Sequence, residues 1–196
     1  MSWSVQDGAV PDDPFEMLAE WAPSNDDPSR PLAVVSTVDA SGMPDARTVL
    51  LTSVMEEAVT FHTDSRSRKV EQLRTNPVAA FVVRWEERGR QLVLRGTVAE
   101  TPAEEQAASF ARRSRYLQLL AWLNTDALAA QPRAERERAW AVFDAAEPSP
   151  SAPDSWIGFA LTPVEATFWE ASPDGPSHRA RYRRTSGTWS HSFLPG

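Results

Sequence analysis

The 196-residue chain contains no cysteine. That excludes a disulfide framework, a thiolate metal site and a thiol nucleophile, so redox chemistry here needs a bound cofactor. Glycine is scarce, at 8 residues. No Walker loop, no dinucleotide-binding glycine fingerprint and no Gly-x-Ser-x-Gly elbow occurs, so a phosphate would have to be held by side chains. The three histidines, His62, His178 and His191, lie far apart without HxxxH spacing, which argues against a metal site. No apolar run approaches the roughly 20 residues of a membrane helix. Met1 to Val10 lacks the basic and apolar regions of a signal peptide. These absences leave no membrane association and a cytoplasmic address as the expectation.

What is present fits an ordinary globular domain, with 41% hydrophobic and 24% charged residues. The net charge of −7 argues against nucleic acid or an anionic membrane as partner. Basic residues are nevertheless locally dense, with Arg66, Arg68 and Lys69 in one segment and Arg179, Arg181, Arg183 and Arg184 in another. Basic spots on an acidic chain suit small anionic ligands.

Residues 1–14 read as a mobile arm and residues 15–196 as a single domain. Phe15, Leu18 and Trp21 recur at helical spacing. Short β-branched runs follow at 32–38, 47–52 and 58–63, the first two separated by the turn signal Asp39-Ala-Ser-Gly42. A short helix is expected over 67–74 with Ser67 as N-cap, then a hairpin of 78–85 and 91–98. Segments 102–113 and 133–145 read as helices, with a further helical piece between them. Strands at 156–162, 165–170, 178–184 and 188–193 close the chain. Many short strands with peripheral helices indicate an α+β, mainly β fold built on a small antiparallel barrel.

The segment His62-Thr-Asp-Ser-Arg-Ser-Arg-Lys69 joins a strand end to a helix start. There Thr63, Ser67, Arg68 and Lys69 can converge on an anion, helped by backbone N–H groups and the helix dipole. Arg supplies a planar fork and Lys a mobile point charge, a pairing suited to a dianionic phosphate. A solvated basic turn is the alternative reading of the same residues.

Four stretches together resemble the pyridoxamine 5′-phosphate oxidase family. They are Val38-Asp-x-x-Gly-x-Pro-x-x-Arg-Thr-Val-Leu-Leu51, Phe61-His-Thr-Asp-x-x-Ser-Arg-Lys69, Arg90-Gln91, and Phe168-Trp169 followed ten residues later by Arg179. The resemblance runs from about Phe15 to Pro195. It implies an FMN-binding split β-barrel, working as a homodimer with FMN at the subunit interface. Carried over position by position, Arg47, Thr48, Val49, Leu50 and Leu51 would border the flavin. His62, Thr63, Ser67, Arg68 and Lys69 would hold the phosphate and ribityl chain, with His62 replacing the Tyr common in the family. Gln91, Trp169 and Arg179 would reach the ring, and a cation at its N1–C2=O edge favours the reduced anion. A Gln-Ser pair that the partner subunit lends falls at Asp126-Ala127.

The departures from the family lie at substrate positions. Thr52 stands where authentic pyridoxamine-phosphate oxidases carry Lys. Their Tyr-x-x-x-Arg-x-x-x-Ser motif becomes Ser109, Arg113 and Leu117, and their Arg-Leu-His-Asp-Arg motif becomes Gly175, Pro176, Ser177, His178 and Arg179. Flavin positions are kept and phosphate-substrate positions lost. The expectation is an FMN-dependent oxidase using dioxygen on a small, unphosphorylated ring substrate, such as a secondary-metabolite intermediate of the dihydrophenazine kind oxidised by the family's phenazine-biosynthesis branch. The alternatives are a pyridoxine/pyridoxamine 5′-phosphate oxidase with a rearranged pocket, and a non-catalytic flavin- or deazaflavin-binding protein. Arg113, His178, Arg181 and Tyr182 are the candidates for touching substrate, and no catalytic base is evident.

Overall fold

A computed structural model describes residues 3–27 and 29–196. In chain order the elements are α1 (Pro14–Trp21), β1 (Leu32–Val38), β2 (Pro44–Leu50), β3 (Ser53–Val54), β4 (Val59–Asp64), α2 (Arg68–Thr75), β5 (Val78–Trp85), β6 (Arg90–Glu100), α3 (Ala103–Ala111), α4 (Arg115–Leu123), α5 (Asp126–Ala129), α6 (Arg133–Ala146), β7 (Trp156–Glu170), β8 (His178–Thr185) and β9 (Thr188–Pro195). The strands form one antiparallel sheet in the order β2-β1-β5-β6-β7-β4-β3, and β8 and β9 branch from β7. The curled, mainly β architecture with helices at its margin is the split barrel expected.

Alternation in the strands sorts the two faces. Ala33 and Val35 of β1, Phe81 and Val83 of β5, and Leu92 and Leu94 of β6 are buried inside the barrel with Phe61, Leu161 and Phe168. The opposite face carries Leu32, Val34 and Val78, at 64%, 39% and 42% exposure. An apolar residue left outside at alternate positions on neighbouring strands makes a continuous greasy face, unusual for a surface meant only for water.

The expected strands 156–162 and 165–170 are one strand, β7. Its interruption at Thr162-Pro163-Val164 is a β-bulge, marked by a register shift opposite Arg95 and Gly96. Proline is tolerated there because a bulge leaves its missing N–H without a ladder partner. Gly96 allows the close approach: a Cβ there would lie 2.0 Å from the Thr162 carbonyl oxygen. The N-terminal half of β7 pairs with β4 and the C-terminal half with β8, which splits the barrel. The returning strand starts at Pro44 and ends at Leu50, and the two-residue β3 is an addition.

Asp13 caps α1 by accepting from the Phe15 N–H at 2.9 Å, with Pro14 at the first helical position. Trp21 packs edge-on against Phe168 and Trp85. Within the segment read as an arm, residues 3–13 dock on the sheet. Val5 is fully buried, and Glu170 accepts from the backbone N–H groups of Val5 and Gln6. Tyr182 donates to the Pro11 carbonyl at 2.8 Å.

Candidate functional site

Two adjoining cavities lie between the β2–β4 edge of the barrel and α3–α5. The larger, of about 590 Å³, is lined by Thr48, Val49 and Leu50 from β2, His62 and Thr63 from β4, Ser67 and Lys69 at the start of α2, and Arg113 and Trp156. Lys69 Nζ donates to Thr63 Oγ1 at 3.0 Å, and Thr63 Oγ1 lies 3.5 Å from Ser67 Oγ. Ser67 is the N-cap of α2, but its hydroxyl makes no capping bond. Two hydroxyls, one ammonium and the uncapped start of an eight-residue helix therefore meet at one end of the cavity. Burial, and after it the nearby Arg47 charge, lower the Lys69 pKa. An anion placed there would reverse that cost.

Other expected flavin residues sit elsewhere. The Arg68 side chain is 67% exposed and faces Asp39 and Asp45 at the β1–β2 turn. Arg47 is bound into the wall: it donates to Thr37 Oγ1 at 2.6 Å and Gln72 Oε1 at 2.9 Å and pairs with Asp45 at 2.7 Å. Leu51 is a core residue whose N–H donates to the Pro31 carbonyl. Asp126 and Ala127 of this same chain line the cavity.

Gln91, Trp169 and Arg179 are direct neighbours across β6, β7 and β8, on the outward face shared with Leu32 and Val34. None of them lines either cavity. His62 pairs with Gly158 near the start of β7 and Gln91 with Trp169 near its end. That separates the two groups by about 36 Å of strand at roughly 3.3 Å per residue, far more than a mononucleotide spans.

The substrate candidates also divide. Arg181 lies in the outward row with Thr167. Tyr182 points the other way, fully buried in the core, where burial raises its pKa. His178 faces the N-terminal segment, with Nδ1 donating to the Val5 carbonyl at 2.9 Å and its ring stacked on Phe193. Strand alternation thus removes Tyr182 and His178 from the face carrying Arg179 and Arg181.

Arg113 lines both cavities. The second, of about 380 Å³, is enclosed by Arg30, Leu50, Thr52, Ser109, Arg112, Leu117 and the acidic loop 25–27. Arg113 Nη2 donates to Thr52 Oγ1 at 2.7 Å, its guanidinium lies over the Trp156 ring at 5.4 Å, and its buried Nε has no partner. Burial lowers its pKa to about 10, so it stays cationic at neutral pH. Arg30 likewise leaves a buried Nη2 without a partner.

His62 heads a network that the sequence did not show. Its Nε2 is 3.2 Å from Glu105 Oε2, its Nδ1 is 3.1 Å from Thr52 Oγ1 and 3.3 Å from Ser109 Oγ, and its ring stacks on Trp156. Gly158 leaves room for it: a Cβ there would lie 2.6 Å from His62 Nε2. Burial outweighs the attraction of Glu105 and lowers the His62 pKa to about 4. The His62–Glu105 contact is therefore a hydrogen bond from a neutral imidazole to a carboxylate at neutral pH.

The model of the pyridoxamine 5′-phosphate oxidase family matches residues 27–150. The pyridoxine/pyridoxamine 5′-phosphate oxidase of Caulobacter vibrioides is 34% identical over 188 residues, covering 93% of this chain and 85% of that protein. The Salinibacter ruber enzyme of the same name is 35% identical over 188 residues, covering 92% and 87%. Among solved structures, PhzG from Burkholderia lata 383, in complex with tetrahydrophenazine-1-carboxylic acid, superposes over 100% of both chains with a TM-score of 0.80 at 23% identity. A pyridoxamine 5′-phosphate oxidase-related, FMN-binding protein from Nostoc punctiforme PCC 73102 gives a TM-score of 0.65 at 21% identity, covering 83% and 87%. By family-model match and by sequence identity across nearly its whole length, the chain belongs to the pyridoxamine 5′-phosphate oxidase family.

Proposed function

We propose that this protein is a cytoplasmic, FMN-dependent oxidase that forms a homodimer and acts on a small, unphosphorylated ring substrate, with dioxygen as electron acceptor. The convergence of Thr63, Ser67 and Lys69 at the start of α2 carries the reading. It offers charge-assisted and neutral hydrogen bonds to a phosphoryl group at one end of a cavity large enough for a mononucleotide.

FMN bound there supplies a hydride acceptor that no side chain provides. Lys69 and the two hydroxyls hold its phosphate, while Leu50, Leu117 and Trp156 wall the cavity from water. Gln91, Trp169 and Arg179 lie too far away to reach the same molecule within one chain. A second copy, docked by the greasy face around Leu32 and Val34, would bring its own three side chains to the ring. In a two-fold arrangement each copy serves both sites.

The second cavity favours a carboxylate over a phosphate monoester. Thr52, Ser109 and Leu117 line it in place of the family's Lys, Tyr and Ser. Each charge-assisted hydrogen bond lost removes roughly 1.5–3 kcal/mol. What remains is the buried, unpartnered Nε of Arg113 and Nη2 of Arg30, suited to the two oxygens of a ring carboxylate. PhzG, of the same fold, holds such a molecule. A second reading is oxidation of pyridoxamine 5′-phosphate, favoured by the three guanidiniums of Arg30, Arg112 and Arg113 around this cavity.

FMN titration with a visible spectrum tests the cofactor. A yellow, stoichiometric complex is expected, whereas a colourless protein that ignores FMN, or one that takes a deazaflavin instead, refutes it. Anaerobic bleaching of the flavin by dihydroaromatic carboxylates but not by pyridoxamine 5′-phosphate is the expected substrate result. Rapid bleaching by the phosphate ester would establish the second reading.

A further inference from the structure

We propose that Glu105 and His62 are positioning residues for Arg113: they set the direction of a hydrogen-bond chain, Glu105–His62–Thr52–Arg113, that aims the guanidinium into the second cavity and holds it there for an anionic group. The proposal rests on the reading of that cavity as the substrate's anion subsite. It assigns a role to the position where the chain departs from the family's Tyr.

The direction follows from which groups can only give and which can only take. A carboxylate accepts only, so Glu105 Oε2 at 3.2 Å selects the tautomer with the proton on His62 Nε2. Nδ1 is then a lone pair, and the Thr52 hydroxyl at 3.1 Å donates to it. With its proton committed, Thr52 Oγ1 turns its lone pairs to Arg113 Nη2, at 2.7 Å. Nη2 is thereby anchored, and Nε is left buried and unpartnered. The Ser109 hydroxyl, 3.3 Å from Nδ1, adds a second donor to the same lone pair.

The stacking is built to hold this order. Trp156 carries His62 at 5.1 Å between ring centroids with 10° between the planes, and Arg113 lies over the same indole. The indole N–H donates to the Gln106 carbonyl of α3 at 3.0 Å, and Phe110 meets it edge-on. One tryptophan thus fixes two members of the chain, His62 and Arg113, relative to α3, which carries Glu105 and Ser109.

Protonating His62 would undo the arrangement. An imidazolium has no lone pair for Thr52 and sets a positive charge beside Arg113. The charged groups facing His62 are Glu105, which favours the cation, and Arg113 and Arg112, which oppose it. Affinity for inorganic phosphate, which remains an anion across this range, should therefore fall as pH drops toward 4.

The test uses the full chain with two probes, inorganic phosphate and benzoate. Binding is followed by tryptophan fluorescence and by the ring 15N resonances of His62, assigned by their loss in His62→Phe. The expected results are an Nε2–H tautomer in the unmodified protein, a shift toward a tautomer mixture in Glu105→Ala, and partial return in Glu105→Asp. Benzoate affinity should drop about tenfold in His62→Phe and threefold to tenfold in Glu105→Ala, and vanish in Arg113→Ala. An Nδ1–H tautomer in the unmodified protein overturns the proposal. So does benzoate affinity unchanged within twofold in both His62→Phe and Glu105→Ala while Arg113→Ala abolishes it, and in that case the anion subsite itself stands. If neither probe binds the unmodified protein, both the subsite and the positioning role fall, while FMN binding is judged separately from its own titration.

Discussion

His62 is the most buried titratable base beside the cavities, with a side chain at 0% exposure. Its pKa of about 4 in the folded protein lies below the ordinary 6.5 because burial disfavours the cation. The unfolded chain therefore binds a proton at a pH where the folded chain does not. Above about pH 6.5 both states are neutral and His62 adds no pH dependence. Between 6.5 and 4 stability falls as pH falls, and below 4 the loss is complete. At 1.36 kcal/mol per unit, the loss between pH 7 and pH 5 is about 2 kcal/mol. Asp39, Asp45 and Asp64 have pKa values lowered from 3.8, so their losses fall at more acidic pH. Urea unfolding at pH 7 and pH 5, at one fixed protein concentration, should show this loss in the unmodified protein and not in His62→Phe. Equal pH dependence in the two proteins, or an NMR titration of folded His62 near 6.5, would refute the reasoning.

Lys69→Ala should weaken FMN binding by about 10- to 100-fold, matching roughly 1.5–3 kcal/mol for a charge-assisted contact, as read from quenching of flavin fluorescence. Arg68→Ala should change it much less, because that guanidinium faces Asp39 and Asp45. Gly158→Ala forces a Cβ to within 2.3 Å of Thr101 Oγ1. It should cost about 1–3 kcal/mol, seen as a lower Tm by calorimetry. Leu32→Asp, on the exposed face, should leave the far-UV circular dichroism unchanged while light scattering reports a monomer.

The strands were legible where a short apolar run has clear stops at both ends. Val78–Trp85 was predicted with both ends as observed, because Asn76-Pro77 precedes it and the charged Glu86-Glu87-Arg88 follows it. β7 reads as two strands because Pro163 looks like a breaker, and only the partner strand reveals the bulge that accommodates it. The Thr63–Lys69 cluster was legible because its members lie within a seven-residue stretch that joins β4 to α2. Which of Arg68 and Lys69 faces the cavity was not, since successive helical positions diverge by about 100°. The His62 network was invisible because Glu105 and Ser109 are 43 and 47 residues away. Helix packing, rather than spacing, brings them together.

Subunit mixing gives the most direct test of a flavin site shared between two copies. Lys69→Ala should break the phosphate end and Arg179→Ala the ring end, so each variant alone binds FMN weakly. Unfolded together and refolded at equal ratio, half of the dimers should be mixed, each with one site intact, so tight FMN binding should return to about a quarter of all sites. No recovery on mixing, or tight stoichiometric FMN binding by a Leu32→Asp monomer, would contradict a site completed by the second subunit.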